Sequence, residues 1–348
     1  RINGSELRCK IVGEGGNLGL TQFGRIEFAL RGGRLNTDFI DNSGGVDCSD
    51  HEVNMKILLN QAVAMGDLTD KQRNIMLEEM TDDVAALVLK NNYRQTQAIS
   101  IASVGAITRL EEYRRLMNTM ESEGKLNRSL EFLPDDETLS ERKLDKKGLT
   151  RPELSVLISY VKGDLKQTLI DSSLPDEPLL AGEMYKVFPQ DLTRKFSKEL
   201  GEHQLRREII ATQIANDMVN HMGITFVERL KQSTGADAAS IALAWIIARD
   251  VFRLDTWWDK VEYLDYFIPA KVQMDLMGDL MRLIRRAVRW LLRNRRAELG
   301  IQSHMERFAD SVWKITADLP DYLGEQACAD WKKRHDELVE SGLPEDLA

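Results

Sequence analysis

Two short strings near the start of the chain carry residue types and spacings suited to chemistry. The first is Gly13-Glu14-Gly15-Gly16-Asn17-Leu18-Gly19; the second is Asn42-Ser43-Gly44-Gly45-Val46, running into Ser49-Asp50-His51-Glu52. Glycines at the end of a strand permit positive φ and close approach of the backbone to a ligand. A Gly-rich turn from strand to helix is the arrangement that receives dinucleotide phosphates, and Asp38 or Asp41 stands where a ribose-binding acid would follow. The spacing departs from G-x-G-x-x-G, because the third glycine comes one residue late. Such a turn serves equally well as a tight connection with no ligand.

The second string offers a helix start. Ser49 with Glu52 forms an S-x-x-E capping box that opens a helix at Asp50. Free N–H groups at such a terminus attract carboxylates and phosphates. Ser49 is therefore an N-cap, an anion-binding hydroxyl, or both, since a hydroxyl donates and accepts. Asn42 reads first as a turn residue that tolerates the left-handed region.

The elements that must position these strings follow from pattern. Ten of the 23 glycines lie in the first 50 residues, and all eight prolines lie at or beyond Pro134. The opening segment reads as strand Cys9–Val12, Gly-rich turn, helix Gln22–Leu30, strand Leu35–Ile40 and a second Gly turn over Asn42–Val46. Helical periodicity follows almost throughout. Thr150-Arg151-Pro152-Glu153 is a capping box with Pro in the first turn, Leu149 and Leu154 form a hydrophobic staple, and Leu154, Leu157, Ile158, Val161, Leu165 and Leu169 make one apolar stripe. Gly223 ends a helical run, and Thr225 with Glu228 is a further capping box. Glu121–Gly148 reads as a long polar connection holding one short helix. With no strands after these, the Gly-rich unit is expected to close a sheet, not open one.

Composition excludes several classes. The 348 residues are 43% hydrophobic and 30% charged, with 47 Lys+Arg against 56 Asp+Glu and a net charge of −9. That apolar content rules out global disorder, and the acidic balance argues against general nucleic-acid binding. The longest apolar run, Ile241–Ala248, is too short to span a bilayer, so no membrane role is expected and a cytoplasmic location is. Cys9, Cys48 and Cys328 form no CxxC pair, and the five histidines lack HxxxH spacing, so no metal site is expected. The chain opens on Arg1, not Met, and reads as a strand within about ten residues, from which it is expected to be a piece of something longer.

Glu14-Gly15-Gly16-Asn17, with Asn42-Ser43-Gly44-Gly45-Val46-Asp47-Cys48-Ser49 following, resembles the end of the glutamate dehydrogenase nucleotide-binding domain. The wider strings Val12–Gln22 and Asp41–Asn54 are similar to the large bacterial NAD-dependent type, and the segments around Leu149–Leu157, Phe188–Leu192, Leu205–Thr212 and Gly223–Val227 extend the resemblance over nearly the whole chain. The fold it implies is an α/β remnant, the last strands and helices of a Rossmann-like nucleotide-binding domain, followed by a mainly α-helical C-terminal domain and mostly α overall. The division would be 1–65 for the end of the dinucleotide-binding domain and 66–348 for the helical domain.

The function it implies is oxidative deamination of L-glutamate to 2-oxoglutarate and ammonium with NAD as hydride acceptor. Gly15, Gly16, Asn17, Asn42, Gly44 and Gly45 would bind the cofactor. Asn17 would lie near the nicotinamide ribose and Asn42 near the nicotinamide. Val46 and Ser49 would line the substrate pocket, the serine hydroxyl holding the side-chain carboxylate. Gly16 and Ser43 stand where the small hexameric enzymes carry alanine, and Gly19-Leu20 where they carry Pro-Thr. The family's catalytic lysine and aspartate would lie upstream in the same chain, so these residues alone are expected to be inactive, and the whole is expected to be a homo-oligomer.

Other readings compete. The long helical part could be an interaction or regulatory module whose Gly-rich start is only a connector. Arg282, Arg285, Arg286, Arg289, Arg293 and Arg296 fall on one helical face, opposite Ile284, Val288 and Leu291. That face would meet an anionic partner, or be solvated and paired with nearby acids such as Asp250, Asp255, Asp259, Glu262 and Asp265.

Overall fold

A computed structural model of the chain describes residues 2–294, 301–345 and 347. Helix makes up nearly all its regular structure. In order these are α1 (Gln22–Leu30), α2 (Asp38–Asp41), α3 (Ser43–Met65), α4 (Asp70–Glu79), α5 (Thr81–Val104), α6 (Leu110–Ser122) and α7 (Asp136–Leu144). Then come α8 (Arg151–Ile170), α9 (Ala181–Tyr185), α10 (Gln190–Lys195), α11 (Ser197–Gly201), α12 (Arg206–Met222) and α13 (Phe226–Thr234). The last are α14 (Ala238–Val251), α15 (Leu254–Glu262), α16 (Ala270–Asn294), α17 (Ile301–Ala317), α18 (Leu319–Tyr322) and α19 (Glu325–Glu340). The chain divides into two compact units, 1–229 and 230–348.

The Rossmann-like remnant is not seen. The two expected strands meet in one parallel bridge between Ile11 and Arg34, where the Val12 N–H donates to the Arg34 carbonyl and the Arg34 N–H to the Lys10 carbonyl, both at 2.9 Å. Residues 38–40, expected as strand, are helical instead. Parallel pairs depend on a wider sheet covered on both faces, and no further strand is present among the described residues. Leu35–Thr37 lies outside any helix, and Thr37, extended and fully buried, stands as N-cap to α2.

The second Gly turn is also corrected. Asn42 is the N-cap of α3, so Ser43, Gly44, Gly45 and Val46 form its first helical turn. Ser49 lies inside this helix rather than opening one at Asp50; its Oγ donates back to the Gly45 carbonyl at 3.3 Å. Glu52 reaches forward to Lys56 one turn on, not back to Ser49. A capping box is a local pattern, and the earlier start at Asn42 is tied down from α5, where Asn92 Nδ2 donates to the Ile40 carbonyl at 3.0 Å and to Ser43 Oγ at 2.9 Å.

The punctuation at Thr150 and at Gly223 folds as read. Thr150 and Glu153 complete their capping box with Pro152 in the first turn, and Leu149 and Leu154 are buried beside it. All six residues of the α8 stripe are buried. α8 packs against α1, α5 and α12, and α5 packs on α3. Gly223 caps α12 with φ 85°, and the Thr225 hydroxyl donates to Glu112 on α6 at 3.0 Å. One short helix, α7, occupies the polar connection.

In the second unit, α14 is the centre. Ile241–Ala248 is buried on all sides because α15, α16 and α17 surround it. No helix among the described residues is long and apolar enough to cross a membrane. Trp258 is buried, whereas Trp257 receives Lys260 on its ring face at 4.6 Å. Ile284, Val288 and Leu291 of α16 are buried, and Arg282, Arg286 and Arg293 are exposed. The acid paired with Arg282 is Asp279, one turn earlier, which also binds Arg334 at 3.1 Å. Arg296 lies outside the described residues.

Candidate functional site

The loop between the Ile11 bridge and α1 is held by buried charge. Glu14 accepts from Arg25 Nε at 2.6 Å and from Arg25 Nη2 at 2.9 Å, and its Oε1 also accepts the Leu20 N–H at 3.0 Å. Arg25 Nη2 reaches Asp38 Oδ1 at 3.0 Å, and Asp38 Oδ2 accepts the Leu18 N–H at 2.8 Å. All three charged residues are buried. Burial works against the Asp38 anion, but the Leu18 N–H and the Arg25 guanidinium outweigh it and hold this carboxyl below the usual range. Burial likewise opposes the Arg25 cation, and Glu14 and Asp38 overcome it.

This clamp presents the loop tip. Leu18 adopts φ 58°, a costly conformation for a branched side chain. Asn17, beside it, accepts a hydrogen bond from Asn42 Nδ2 at 2.7 Å. The two strings, 25 residues apart in sequence, thus meet through their asparagines. Asn42, Val46 and Ser49 follow at i, i+4 and i+7 along α3 and share one face. A Cβ at Gly45 would approach Asn42 Oδ1 to 3.2 Å, so glycine there leaves the amide free to turn toward Asn17. Gly44 faces the other way, toward Val88 of α5. Gly15 and Gly16 line the loop with open space where a Cβ would project. Val46 is 67% exposed, and Ser49 is exposed on the same stripe.

Further residues fix this arrangement from behind. Asp41 accepts the Glu14 N–H at 3.0 Å and Asn36 Nδ2 at 2.7 Å. Arg151, the first residue of α8, donates to Asn36 Oδ1 from Nε at 3.1 Å and Nη2 at 2.8 Å, and to Ser100 on α5 at 2.9 Å. Sequence reasoning did not reach Arg25, Asn36 or Arg151 as part of the site. For Arg25 a signal existed: it shares a helical stripe with Gln22, Ile26 and Ala29 that turns inward, and a buried arginine demands acidic partners.

Residues 146–348 match the family described as glutamate dehydrogenase, C-terminal, which covers more than half of the chain. The chain belongs to the glutamate dehydrogenase C-terminal family. Residues 1–102 match a second description, bacterial NAD-glutamate dehydrogenase, catalytic domain. The chain is 55% identical over its whole length to the NAD-specific glutamate dehydrogenase of Pseudomonas aeruginosa and 50% identical to that of Halomonas elongata, spanning 22% of each. It is 38% identical to the protein of the same name from Mycobacterium tuberculosis, of which it spans 21%. The chain therefore covers about a fifth of the length of these relatives. Residues 103–145, which hold α6 and α7, lie between the two matched regions, and the second begins shortly before α8.

A second polar cluster lies in the same unit. Lys162 on α8 donates to Gln95 on α5 at 2.9 Å. Burial pushes its ammonium down to about 7, against the pull of Asp217 on α12 and Asp47 on α3. A lysine with a lowered folded value releases its proton on folding at neutral to alkaline pH. Its unfolded counterpart binds more protons there, so this group makes stability rise between about pH 7 and its ordinary 10.5. Lys162→Met is expected to flatten that rise, read as the difference between urea midpoints of the two proteins at pH 7 and pH 9.5. An unchanged slope would show that the amine is charged and solvated in the fold.

Proposed function

We propose that these residues supply the nicotinamide-end and substrate-carboxylate contacts of an NAD-dependent glutamate dehydrogenase, which oxidatively deaminates L-glutamate to 2-oxoglutarate and ammonium. The observation that carries this is the Asn17–Asn42 hydrogen bond, which joins the two motif strings beside the face that bears Val46 and Ser49. The loop suits a dinucleotide: Gly15 and Gly16 open onto free space, and two amides stand together at its tip. NAD, when bound, supplies the ring that accepts hydride. Asn17 and Asn42 orient the ribose and the nicotinamide through amide donors and acceptors. Ser49 Oγ, exposed and bonded only loosely to the Gly45 carbonyl at 3.3 Å, turns its hydrogen to the glutamate side-chain carboxylate.

Residues 1–65 then form the end of the dinucleotide-binding part and 66–348 the helical domain. The end of α3 at Gly66, in the left-handed region with φ 86°, supports a boundary there. The reaction's lysine and aspartate belong to a substrate domain outside these 348 residues, so hydride transfer needs the longer protein. A cytoplasmic location and a homo-oligomeric state accompany this function as expectations.

The deciding experiment is glutamate-dependent NAD reduction, followed on the full-length protein and on the 348 residues in parallel. Activity is expected in the first and none in the second; a full-length protein that does not reduce NAD with glutamate overturns the proposal. In the full-length protein Ser49→Ala is expected to raise the glutamate KM about tenfold or more, with the NAD KM unchanged, since a lost hydrogen bond to a charged group is worth roughly 1.5–3 kcal/mol. Ser49 sits mid-helix, where alanine is the better helix former, so stability should not fall.

A further inference from the structure

We propose that Arg151 is a positioning residue for the cofactor-facing loop: through Asn36 and Asp41 it fixes the backbone that carries Asn17 and the helix start that carries Asn42. The inference rests on the function proposed above for those two asparagines.

The relay has one possible polarity. A guanidinium only donates and a carboxylate only accepts, so an amide between them has no choice of orientation. Asn36 must turn Oδ1 to Arg151 and Nδ2 to Asp41, which is the arrangement found. Asp41 Oδ1 is then taken by Asn36, leaving Oδ2 for the Glu14 N–H at 3.0 Å. Glu14 lies three residues before Asn17, and Asp41 immediately precedes Asn42. One chain of hydrogen bonds therefore reaches both sides of the Asn17–Asn42 pair.

Local stability gives no reason for an arginine at this position. Arg151 occupies the first turn of α8, where the helix dipole disfavours a cation. Burial and the charge of Arg34 also act against its protonated form, with Asp41 in its favour. The cap of α8 is complete without it, through Thr150, Glu153 and Pro152. What Arg151 adds is reach: its three bonded nitrogens tie α8 and Ser100 of α5 to the segment that ends in Asp41. Gln22 makes a second, weaker link from the loop side, donating to the Pro152 carbonyl at 3.3 Å. The helical region thereby sets the geometry of a cofactor contact that it does not itself make.

The test uses the full-length protein with Arg151→Met, Arg151→Lys and Asn36→Ala, and Arg142→Met as control. Arg142 binds Glu153 at 2.7 Å in the same cap but touches none of the relay. Two readouts are taken: hydrogen exchange of the Glu14 and Leu18 amides, and steady-state kinetics with NAD and glutamate. Arg151→Met and Asn36→Ala are expected to speed exchange of the Glu14 amide at least tenfold and raise the NAD KM about tenfold, leaving the glutamate KM within twofold. Arg151→Lys, which keeps the charge and one donor direction, should recover part of both. Arg142→Met should lower the melting temperature and change neither readout. If Arg151→Met does not fold, Asn36→Ala decides alone.

Unchanged Glu14 exchange in the relay variants, or an equal change in Arg142→Met, overturns the inference whatever the kinetics. Faster exchange with an unaltered NAD KM also overturns it, since the loop would then be held by the relay without serving the cofactor. A wild-type protein that lacks NAD reduction refutes the proposed function separately, and the role of the relay toward NAD falls with it.

Discussion

Arg25→Met is expected to cost the first unit about 3–5 kcal/mol, the range found when one partner is removed from a buried ion pair. The loss comes less from the missing attraction than from what remains. Glu14 and Asp38 would both stay buried, within a few ångströms of each other, with no cation between them. The backbone N–H groups of Leu20 and Leu18 still bond these carboxylates but neutralise neither. A shift of the urea midpoint at constant slope measures the effect. A change below about 1 kcal/mol would mean that water already reaches the cluster. The acid limb gives an independent check. Asp38 has a folded value below its ordinary 3.8, so its contribution is fully present above that pH and is lost as pH falls through the lower folded value. Without Arg25 that contribution shrinks, and the wild type should lose stability more steeply than the variant below about pH 4.

The second large effect is on turnover with little change in stability. Asn42→Ala in the full-length enzyme is expected to lower kcat/KM for NAD by about tenfold to a hundredfold, or roughly 1.4–2.7 kcal/mol. Two contacts go at once: the Asn42 amide itself, and the restraint it places on Asn17 at 2.7 Å. Asn17→Ala should act similarly, and the double variant should lose less than the sum, because each amide orients the other. Asn17 is exposed and Asn42 partly so, and alanine suits the Asn42 backbone at φ −93°, so the unfolding midpoint should move by no more than about 0.5 kcal/mol. Additive effects of the two substitutions on NAD would argue that the amides act at separate places.

The helix Gln22–Leu30, the cap at Thr150, the α8 stripe and the stop at Gly223 are legible because each depends on residues within one or two turns. Two strong local signals nevertheless gave way. The second half of the extended pattern at Leu35–Ile40 lost to a helix, in which Asp38 bonds Arg25 and the Leu18 N–H. The capping box at Ser49 lost to an earlier start at Asn42, which extends α3 to 23 residues. That second outcome changes the proposed site: Ser49 stands on a helix flank, with no free N–H groups beside it.

By itself the sequence determined that the chain is largely helical, and it singled out two strings near its start, with Asn17 and Asn42 among them, as the candidates for chemistry. Those properties are written in residue type and in spacings of a few residues. Only the tertiary structure decided that the two asparagines bond to each other and that Glu14, Arg25 and Asp38 form one buried cluster. It alone brought Arg151, more than a hundred residues away in sequence, to the back of the same loop. Hydrogen bonds and ion pairs act over about 3 Å in space. Nothing in the local preferences of an arginine or an asparagine specifies which distant partner will stand at that distance until the helices pack.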